Sequence, residues 1–232
     1  MEEFVEELME ELDVQTAFTL PILGGIEIKE SIVGCWAVMG VLILIAIILG
    51  SNLKVNNISK RQAFAEMIVT KCNEIVGGML GEEAKKYTPF MASIMVFIGA
   101  MNIAGMFGIK PPTKDLNVTI ALAFVSIVTV QVAGIRAKGV GGWIKSFFSP
   151  VWIVFPINVM EIGIKPLSLC LRLFGNILGA FIIMKMVELL IPIVVPVVFS
   201  LYFDIFDGFL QAYVFTFLSS MYIKEAVEMA EE

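Results

Sequence analysis

The stretch Ile32–Leu49 reads IVGCWAVMGVLILIAIIL and holds no charged residue. An α-helix rises about 1.5 Å per residue, so a helix of this length crosses the hydrocarbon core of a bilayer, which is about 30 Å thick. The stretch therefore predicts a membrane-spanning helix and places the chain among integral membrane proteins.

The composition of the whole chain agrees with that prediction. Of 232 residues, 58% are hydrophobic and 16% are charged, and the mean hydropathy is +0.89. Soluble domains are usually about 45–50% apolar and about 25% charged, which excludes a soluble enzyme, a disordered chain and a nucleic-acid-binding protein. The chain has no histidine, so proton chemistry must use carboxylates and coupled water. The isolated Cys35, Cys72 and Cys170 indicate neither a metal site nor a disulfide framework.

Other long apolar blocks follow the first one along the chain. They are Phe90–Phe107, Val118–Ile135, Val151–Met184 and Ile191–Met221. Together the blocks predict an all-α polytopic membrane protein with about five membrane helices. Between the first two spans, Arg61–Lys86 alternates charged and apolar residues at roughly helical spacing. This segment predicts an amphipathic surface helix over about 60–86.

The charges divide the chain into regions. Residues 1–30 form an acidic N-terminal segment, expected to be extramembrane and either helical or flexible, with no basic stretch typical of a secretory signal. The membrane domain covers 31–224 and includes a long helical hairpin over about 151–224. An acidic tail covers 225–232.

Basic residues in the loops predict the orientation in the membrane. Lysine and arginine follow the first and third spans, at Lys54, Lys60, Arg61, Arg136, Lys138 and Lys145. Loops rich in these residues stay on the cytoplasmic side. The N-terminus is therefore expected outside and the C-terminus inside. The acidic N-terminus without a targeting sequence favours a bacterial plasma membrane over an organellar one.

A charge inside an apolar stretch is costly, at about 2.5–3.5 kcal/mol on insertion scales. Arg172 lies in PLSLCLRLFGNILG, residues 166–179, without an acidic neighbour in sequence. On a helix, Ser168, Arg172, Gly175 or Asn176, and Gly179 share one face. This face predicts a fixed positive charge offered to a closely packed partner helix. The alternative is ordinary helix packing around a structural arginine.

The last apolar stretch carries a second polar face. Asp204, then Asp207 or Gly208, then Gln211 follow helical spacing. A carboxylate on such a face can take up and release protons, so the face predicts a water-lined proton path. A helix–helix hydrogen bond through Gln211 is the alternative. Lys165, beside a break at Pro166, and the pair Lys185 and Glu188 fit charges that extend to the membrane interface.

Several short motifs occur in one order between Ser59 and Tyr222. The sharpest is LRLFGN, Leu171–Asn176. The others are RQAFAE at 61–66, KYTPF at 86–90, PTKDLNVT at 112–119, KGVGG at 138–142, PIN at 156–158 followed by Glu161, and QAYVF at 211–215. This ordered set resembles the subunit a family of F-type ATP synthase membrane sectors.

The resemblance implies an architecture and partners. The family has an outward N-terminus, a span, a surface helix, a spanning hairpin and two long tilted helices that curve against a rotor ring. The implied partners are the c-ring of proteolipid subunits, the subunit b peripheral stalk and the lipid bilayer. Nucleotide binding is expected only in the soluble partner sector, because the chain lacks a glycine-rich phosphate loop ending in Lys-Ser/Thr. No nucleic acid, cofactor or catalytic site of its own is expected.

The resemblance also assigns roles to residues around the signature motif. Arg172 matches the family's stator arginine, and Asn176 matches the asparagine one turn further on. Gln211 matches the glutamine that lies opposite the arginine. Asp204 takes the place of a histidine or glutamate in the outer half-channel. Phe181 departs from those bacterial members that carry glutamate nine residues after the arginine, and the missing role is assigned to Asp204 alone or with Asp207.

The remaining assignments lie at the two channel mouths. Asp115 and Asn117 match the outer loop motif at the channel entrance, and Glu161 matches a carboxylate of the inner half-channel. Ser168 accompanies Arg172 on its helical face. The function expected from the resemblance is that of a stator that forms two ion half-channels and couples proton or sodium translocation to rotation of the c-ring. A secondary transporter or a proton channel is the alternative, and co-purification with a ring of small hairpin subunits would separate them.

Overall fold

The computed structural model of the chain describes residues 16–20, 26–51, 53–54, 59–107, 111–148, 152–190, 199 and 201–228. In these residues, two strands precede six α-helices. The elements are β1 Thr16–Leu20, β2 Ile26–Lys29, α1 Glu30–Gly50, α2 Lys60–Leu80, α3 Thr88–Ile103, α4 Leu116–Ser146, α5 Phe155–Leu190 and α6 Gly208–Glu228. Short 3-10 turns lie at Lys85–Tyr87, Ala104–Phe107, Pro112–Lys114 and Trp152–Val154, and a π-helix covers Leu201–Asp207.

The prediction of an all-α polytopic membrane protein is confirmed. Among the described residues, three helical segments are long and apolar enough to cross a membrane: Glu30–Gly50, Leu116–Ser146 and Trp152–Met184. Many large apolar side chains of α1 are exposed, including Ile43, Leu44 and Ile47. In water such a surface would be unfavourable, and in a bilayer it is the surface that lipid covers.

The N-terminal segment differs from the expected helical or flexible chain. β1 and β2 pair in antiparallel register, with Phe18 opposite Ile28 and Leu20 opposite Ile26. The physical reason is local: IEIK alternates apolar and charged residues, as a half-buried strand does. The sequence analysis weighed only the acidic charge of this region. Residues 1–15 lie outside the described part of the chain.

The amphipathic helix α2 ends earlier than predicted. Ser59 caps its start by accepting a hydrogen bond from the Gln62 amide. Gly81, with φ of 74°, ends it in the left-handed region. The rest of the predicted segment turns into the 3-10 helix Lys85–Tyr87. Apolar side chains of α2 such as Phe64 and Met67 stay exposed.

The basic segment after the third span is helical, where a loop had been expected. α4 continues to Ser146, with a kink at Gly139, whose φ is 69°. Glycine reaches this left-handed conformation without steric cost, so the helix can change direction and resume. Beyond the kink, Trp143 reaches back along the helix and donates from Nε1 to Gln131 Oε1 at 2.9 Å.

The core of the bundle lies around α6. One buried cluster joins α2, α3 and α4 to the C-terminal half of α6, through residues such as Leu80, Met91 and Ile223. A second cluster joins α1, α3, α4 and α5 to the N-terminal half of α6, through residues such as Met101 and Leu173. α6 therefore runs through the centre of the bundle.

The long helical segments at the C-terminal end also differ from their predicted bounds. α5 continues through Pro166 without the predicted break, even though proline removes one backbone hydrogen bond. α6 continues to Glu228, so the first residues of the predicted acidic tail are helical. Residues 191–198, 200 and 229–232 lie outside the described residues.

Candidate functional site

Arg172 lies on α5 with its side chain exposed. Within the described part of the chain, the guanidinium forms no hydrogen bond and no ion pair. Asn176, one turn further on, is also exposed, and Ser168, one turn before, is half-buried. The three residues lie on one face of a continuous helix, in the register that the sequence predicted.

The glycines of this face are open to a partner. Beyond the backbone of its own helix, a Cβ atom added to Gly175 or Gly179 would meet none of the described residues within 4 Å. At Gly208 on α6, by contrast, a Cβ would lie 3.0 Å from the Asn102 Cβ. Gly208 is therefore needed for close packing inside this chain, whereas Gly175 and Gly179 leave room for something outside it.

The opposite face of α5 fixes the direction in which Arg172 points. Leu169, Cys170 and Leu173 are buried in the core cluster shared with α4 and α6. Cys170 Sγ lies 3.4 Å from the Thr119 Oγ1 of α4. Because this face is held against the bundle, α5 cannot turn Arg172 inward without exposing the buried side chains.

Asp115 and Asn117 lie together at the start of α4. Asp115 is 4% exposed, and its Oδ1 accepts from the Asn117 backbone amide at 2.9 Å and from Asn117 Nδ2 at 3.0 Å. This is an N-cap, which satisfies a backbone donor that the helix leaves unpaired. Within the described residues, the second oxygen, Oδ2, is buried without a hydrogen bond.

Phe181 has a cation beside it. The Lys114 Nζ lies 3.6 Å from the centre of the Phe181 ring, and Lys114 itself is buried. An ammonium over an aromatic face is attracted by the ring quadrupole. The sequence analysis missed Lys114, because only the tertiary fold brings the loop before α4 to this turn of α5.

Asn102 is a second residue that sequence reasoning missed. Its Nδ2 donates to the Gly208 carbonyl at 3.0 Å, and its Oδ1 accepts from Thr113 Oγ1 at 2.9 Å. The buried amide thus ties α3 to the loop before α4 and to the start of α6. The available signal was that Asn102 is a polar residue within the apolar block Phe90–Phe107.

Asp207, the last residue of the π-helix, contacts Gln211 on α6. Gln211 is 3% exposed, and its side chain is hydrogen-bonded to the half-buried Asp207 carboxylate. The side chain of Asp204 lies outside the described residues, although its backbone belongs to the π-helix Leu201–Asp207. A π-helix pairs residues five apart instead of four, so the α-helical register predicted from Asp204 to Gln211 does not hold.

Glu161 belongs to an ion cluster at the other end of α5. The Lys165 Nζ lies 3.1 Å from Glu161 Oε2 and 2.9 Å from Glu225 Oε2 on α6. Lys165 is therefore held by two carboxylates, and its extension to the membrane interface stays a prediction. The side chains of Lys185 and Glu188 lie outside the described residues.

Arg172 stands between these two polar ends of the bundle. Along the helix axis it is about 10 Å from Lys165 and about 14 Å from Phe181, from the residue spacing and the helical rise. One end holds Asn102, Asp115 and Phe181, and the other holds Lys165 and Glu225. On the described part of α5 between these two ends, Arg172 is the one exposed positive charge, and a fixed positive charge there opposes the direct passage of a cation from one end to the other.

Comparison with known proteins gives one family. The family model described as "ATP synthase A chain" matches residues 32–224. Subunit a of the ATP synthase from Moorella thermoacetica is 37% identical over 207 residues, which is 88% of this chain and 94% of that protein. The sodium ion specific subunit a of Propionigenium modestum is 31% identical over 223 residues, covering 89% and 77%. The chloroplastic subunit a of Oedogonium cardiacum is 34% identical over 211 residues, covering 86% and 82%. With the membrane helices and the Arg172 face in place, these matches show that the chain belongs to the ATP synthase A chain family, the subunit a of F-type ATP synthases.

Proposed function

We propose that Arg172, an exposed charge on α5, separates two ion half-channels at the contact between this chain and the rotor of the ATP synthase. Its family gives the chain the stator role in ion translocation, and coupling to a c-ring is the function for which that family is known. The observation that carries the proposal is an exposed guanidinium that has no partner among the described residues, on a helical face where Gly175 and Gly179 leave open space.

The chemistry follows from the cost of charge in lipid. A rotor carboxylate that crosses lipid must be neutral, because its ionised form costs several kcal/mol there. An ion enters from one half-channel and neutralises the carboxylate, and after nearly a full turn it leaves through the other half-channel. The membrane potential supplies about 2.3 kcal/mol per charge per 100 mV, so several ions are needed for each ATP.

Arg172 is suited to keep the half-channels apart. Its guanidinium stays protonated at every physiological pH. The charge repels a proton or a sodium ion that would pass directly, and it stabilises the ionised rotor carboxylate as that group goes by. The attraction must stay moderate, because a lasting bidentate ion pair would hold the rotor.

The polar groups on either side of Arg172 supply the half-channels in this proposal. Asp204, Asp207 and Gln211 serve the outer one, with Asp115 and Asn117 at its entrance, and Glu161 serves the inner one. Support comes from the separation of the Asn102 end from the Lys165 end along α5. Asn176 and Ser168 line the face of α5 along which the rotor carboxylate moves.

The proposal also covers the partners of the chain, its membrane and the translocated ion. The partners are the c-ring, the subunit b peripheral stalk and the lipid bilayer, and nucleotide stays with the soluble sector. The membrane is a bacterial plasma membrane, with the N-terminus outside and the C-terminus in the cytoplasm. The translocated ion is a proton or a sodium ion, and the relative from Propionigenium modestum is named as sodium ion specific.

Cysteine cross-linking in the assembled complex tests the rotor contact. Asn176→Cys is expected to form a disulfide with a cysteine placed beside the ring carboxylate, in a chain whose three native cysteines are replaced. Phe124→Cys on α4, whose native side chain is 64% exposed, is the control and is expected to stay unlinked. A link at Phe124 and none at Asn176 would contradict the proposal, because the ring would then contact α4 and not the Arg172 face of α5.

A further inference from the structure

We infer that Lys165 positions Glu161 and Glu225 as a two-carboxylate exit site, through which the translocated cation leaves the inner half-channel. The inference rests on the proposed function and adds two members to it, the positioning lysine and a second carboxylate on α6. Neither followed from the sequence, in which Glu225 belongs to the acidic tail and Lys165 to an interfacial position.

The geometry joins two helices at one ammonium group. Lys165 Nζ donates to Glu225 Oε2 at 2.9 Å and lies 3.1 Å from Glu161 Oε2. The lysine side chain is 21% exposed, while each carboxylate side chain is 45% exposed. The cation is thus shielded, and the two carboxylates that it holds remain accessible to water.

A tyrosine ring and a second lysine lie beside the cluster. The Tyr222 ring lies on α6 with its centre 5.2 Å from Lys165 Nζ, and Lys138 on α4 interacts electrostatically with Glu225. Two carboxylates share the single ammonium of Lys165, so the trio by itself carries a net negative charge, and Lys138 offsets part of that charge on the Glu225 side. The net negative charge of the trio attracts a departing proton or alkali cation.

A polar row on α5 connects this cluster with the rotor contact. Glu161, Lys165, Ser168 and Arg172 follow helical spacing and therefore share one face. Glu161 is about 16 Å along the axis from Arg172, from its place eleven residues earlier. An ion released beside Arg172 thus meets a polar row that ends at the two carboxylates.

The same ion pairs could instead serve only to hold α5 against α6. The test must therefore distinguish carboxylates that transfer ions from carboxylates that only stabilise the contact between the two helices. Vesicles containing the assembled complex without its soluble sector are compared for passive proton conductance under an imposed potential. Glu225→Gln and Glu161→Gln are each expected to lower the conductance about tenfold. Glu228→Gln is the matched control: Glu228 also lies on α6, pairs with Lys224 at 3.3 Å and is 51% exposed.

Chemical rescue distinguishes an ion-transferring carboxylate from a structural one. Formate added on the side of the α6 C-terminus is expected to restore the conductance of Glu225→Gln, because a small acid can replace the lost group. Lys165→Arg should keep the conductance, and Lys165→Met should lower it. If Glu225→Gln reduces the yield of complex, Glu161→Gln carries the same test, because it leaves the Lys165–Glu225 bridge intact.

Two results would overturn the inference: a conductance loss that formate does not restore, or an equal loss in Glu228→Gln. Arg172→Ala tells which proposal has failed, with passive leak measured in the same vesicles and pumping measured in vesicles that carry the complete complex. If Arg172→Ala changes neither pumping nor passive leak, the proposed function fails. If it abolishes pumping while Glu225→Gln behaves like Glu228→Gln, only the exit site fails.

Discussion

At the residue scale, the chain separates polar groups that hold the bundle from polar groups that face outward. Asn102, Asp115 and Gln211 are buried and hydrogen-bonded to neighbours. Arg172 and Asn176 are exposed on α5. The sequence predicted Asp115 as a group at the channel entrance, and the structure adds that it caps α4. The cap role was readable from Asp115 standing before an apolar helical run.

Asn102→Ala tests the buried amide. The change leaves the Thr113 hydroxyl and the Gly208 carbonyl without their hydrogen-bond partner, so we expect it to lower the free energy of unfolding by about 1–3 kcal/mol. Thermal unfolding of the subunit in detergent measures the loss. Ser93→Ala is the control on the same helix, because the exposed Ser93 hydroxyl bonds to the Pro89 carbonyl of its own helix, at 2.8 Å. Equal melting temperatures in the two variants would mean that Asn102 does not hold α3 to α6.

At the element scale, α5 has one face that packs in the core and another face that is open. Leu169 and Leu173 are packed in the core, and the face with Gly175 and Gly179 is open. The helical register of this face was predictable, because a spacing of three and four residues determines it. The π-helix Leu201–Asp207 was not predictable, because a local widening of the helix depends on packing and not on residue type.

Gly175→Leu tests the open face. A Cβ at this position meets none of the described residues within 4 Å outside its own helix, so we expect the melting temperature of the isolated subunit to stay within the error of the native value. In the complex, the same side chain would fill the space that the proposal gives to the rotor, and ATP-driven ion pumping should fall steeply. Leucine at Gly40 on α1, where a Cβ also meets nothing within 4 Å, is the control. Native pumping in Gly175→Leu would show that no rotor packs there.

At the scale of the whole molecule, α6 is the central element of the described bundle. Its contacts with α2, α3 and α4 explain why the last helix is rich in buried small and polar residues such as Ser219, whose Oγ lies 2.7 Å from Ser126 Oγ. Hydropathy predicted the membrane blocks but not their arrangement, because an apolar residue can face lipid or core equally well. The pairing of β1 with β2 was not predicted, because the acidic charge of the N-terminal segment was given more weight than the alternation of apolar and charged residues in IEIK.

The sidedness of the membrane domain is tested by labelling. In a chain without its native cysteines, Lys54→Cys after α1 and Glu228→Cys at the end of α6 should react with an impermeant maleimide from the cytoplasmic side. Thr16→Cys on β1 should react from the opposite side. The expectation follows from the basic loops and an odd number of crossings between Thr16 and Lys54. Labelling of Thr16→Cys and Glu228→Cys from one side would contradict the orientation.

The most direct test of the central claim is ATP-driven ion pumping by the purified complex in liposomes, with Arg172→Ala compared against Arg136→Ala. Both arginines are exposed, but only Arg172 lies on the open face of α5. We expect Arg136→Ala to pump at the native rate, and Arg172→Ala to lose pumping, with or without a passive leak of ions between the half-channels. Pumping at the native rate in Arg172→Ala would contradict the account, because its single separating charge would then be dispensable.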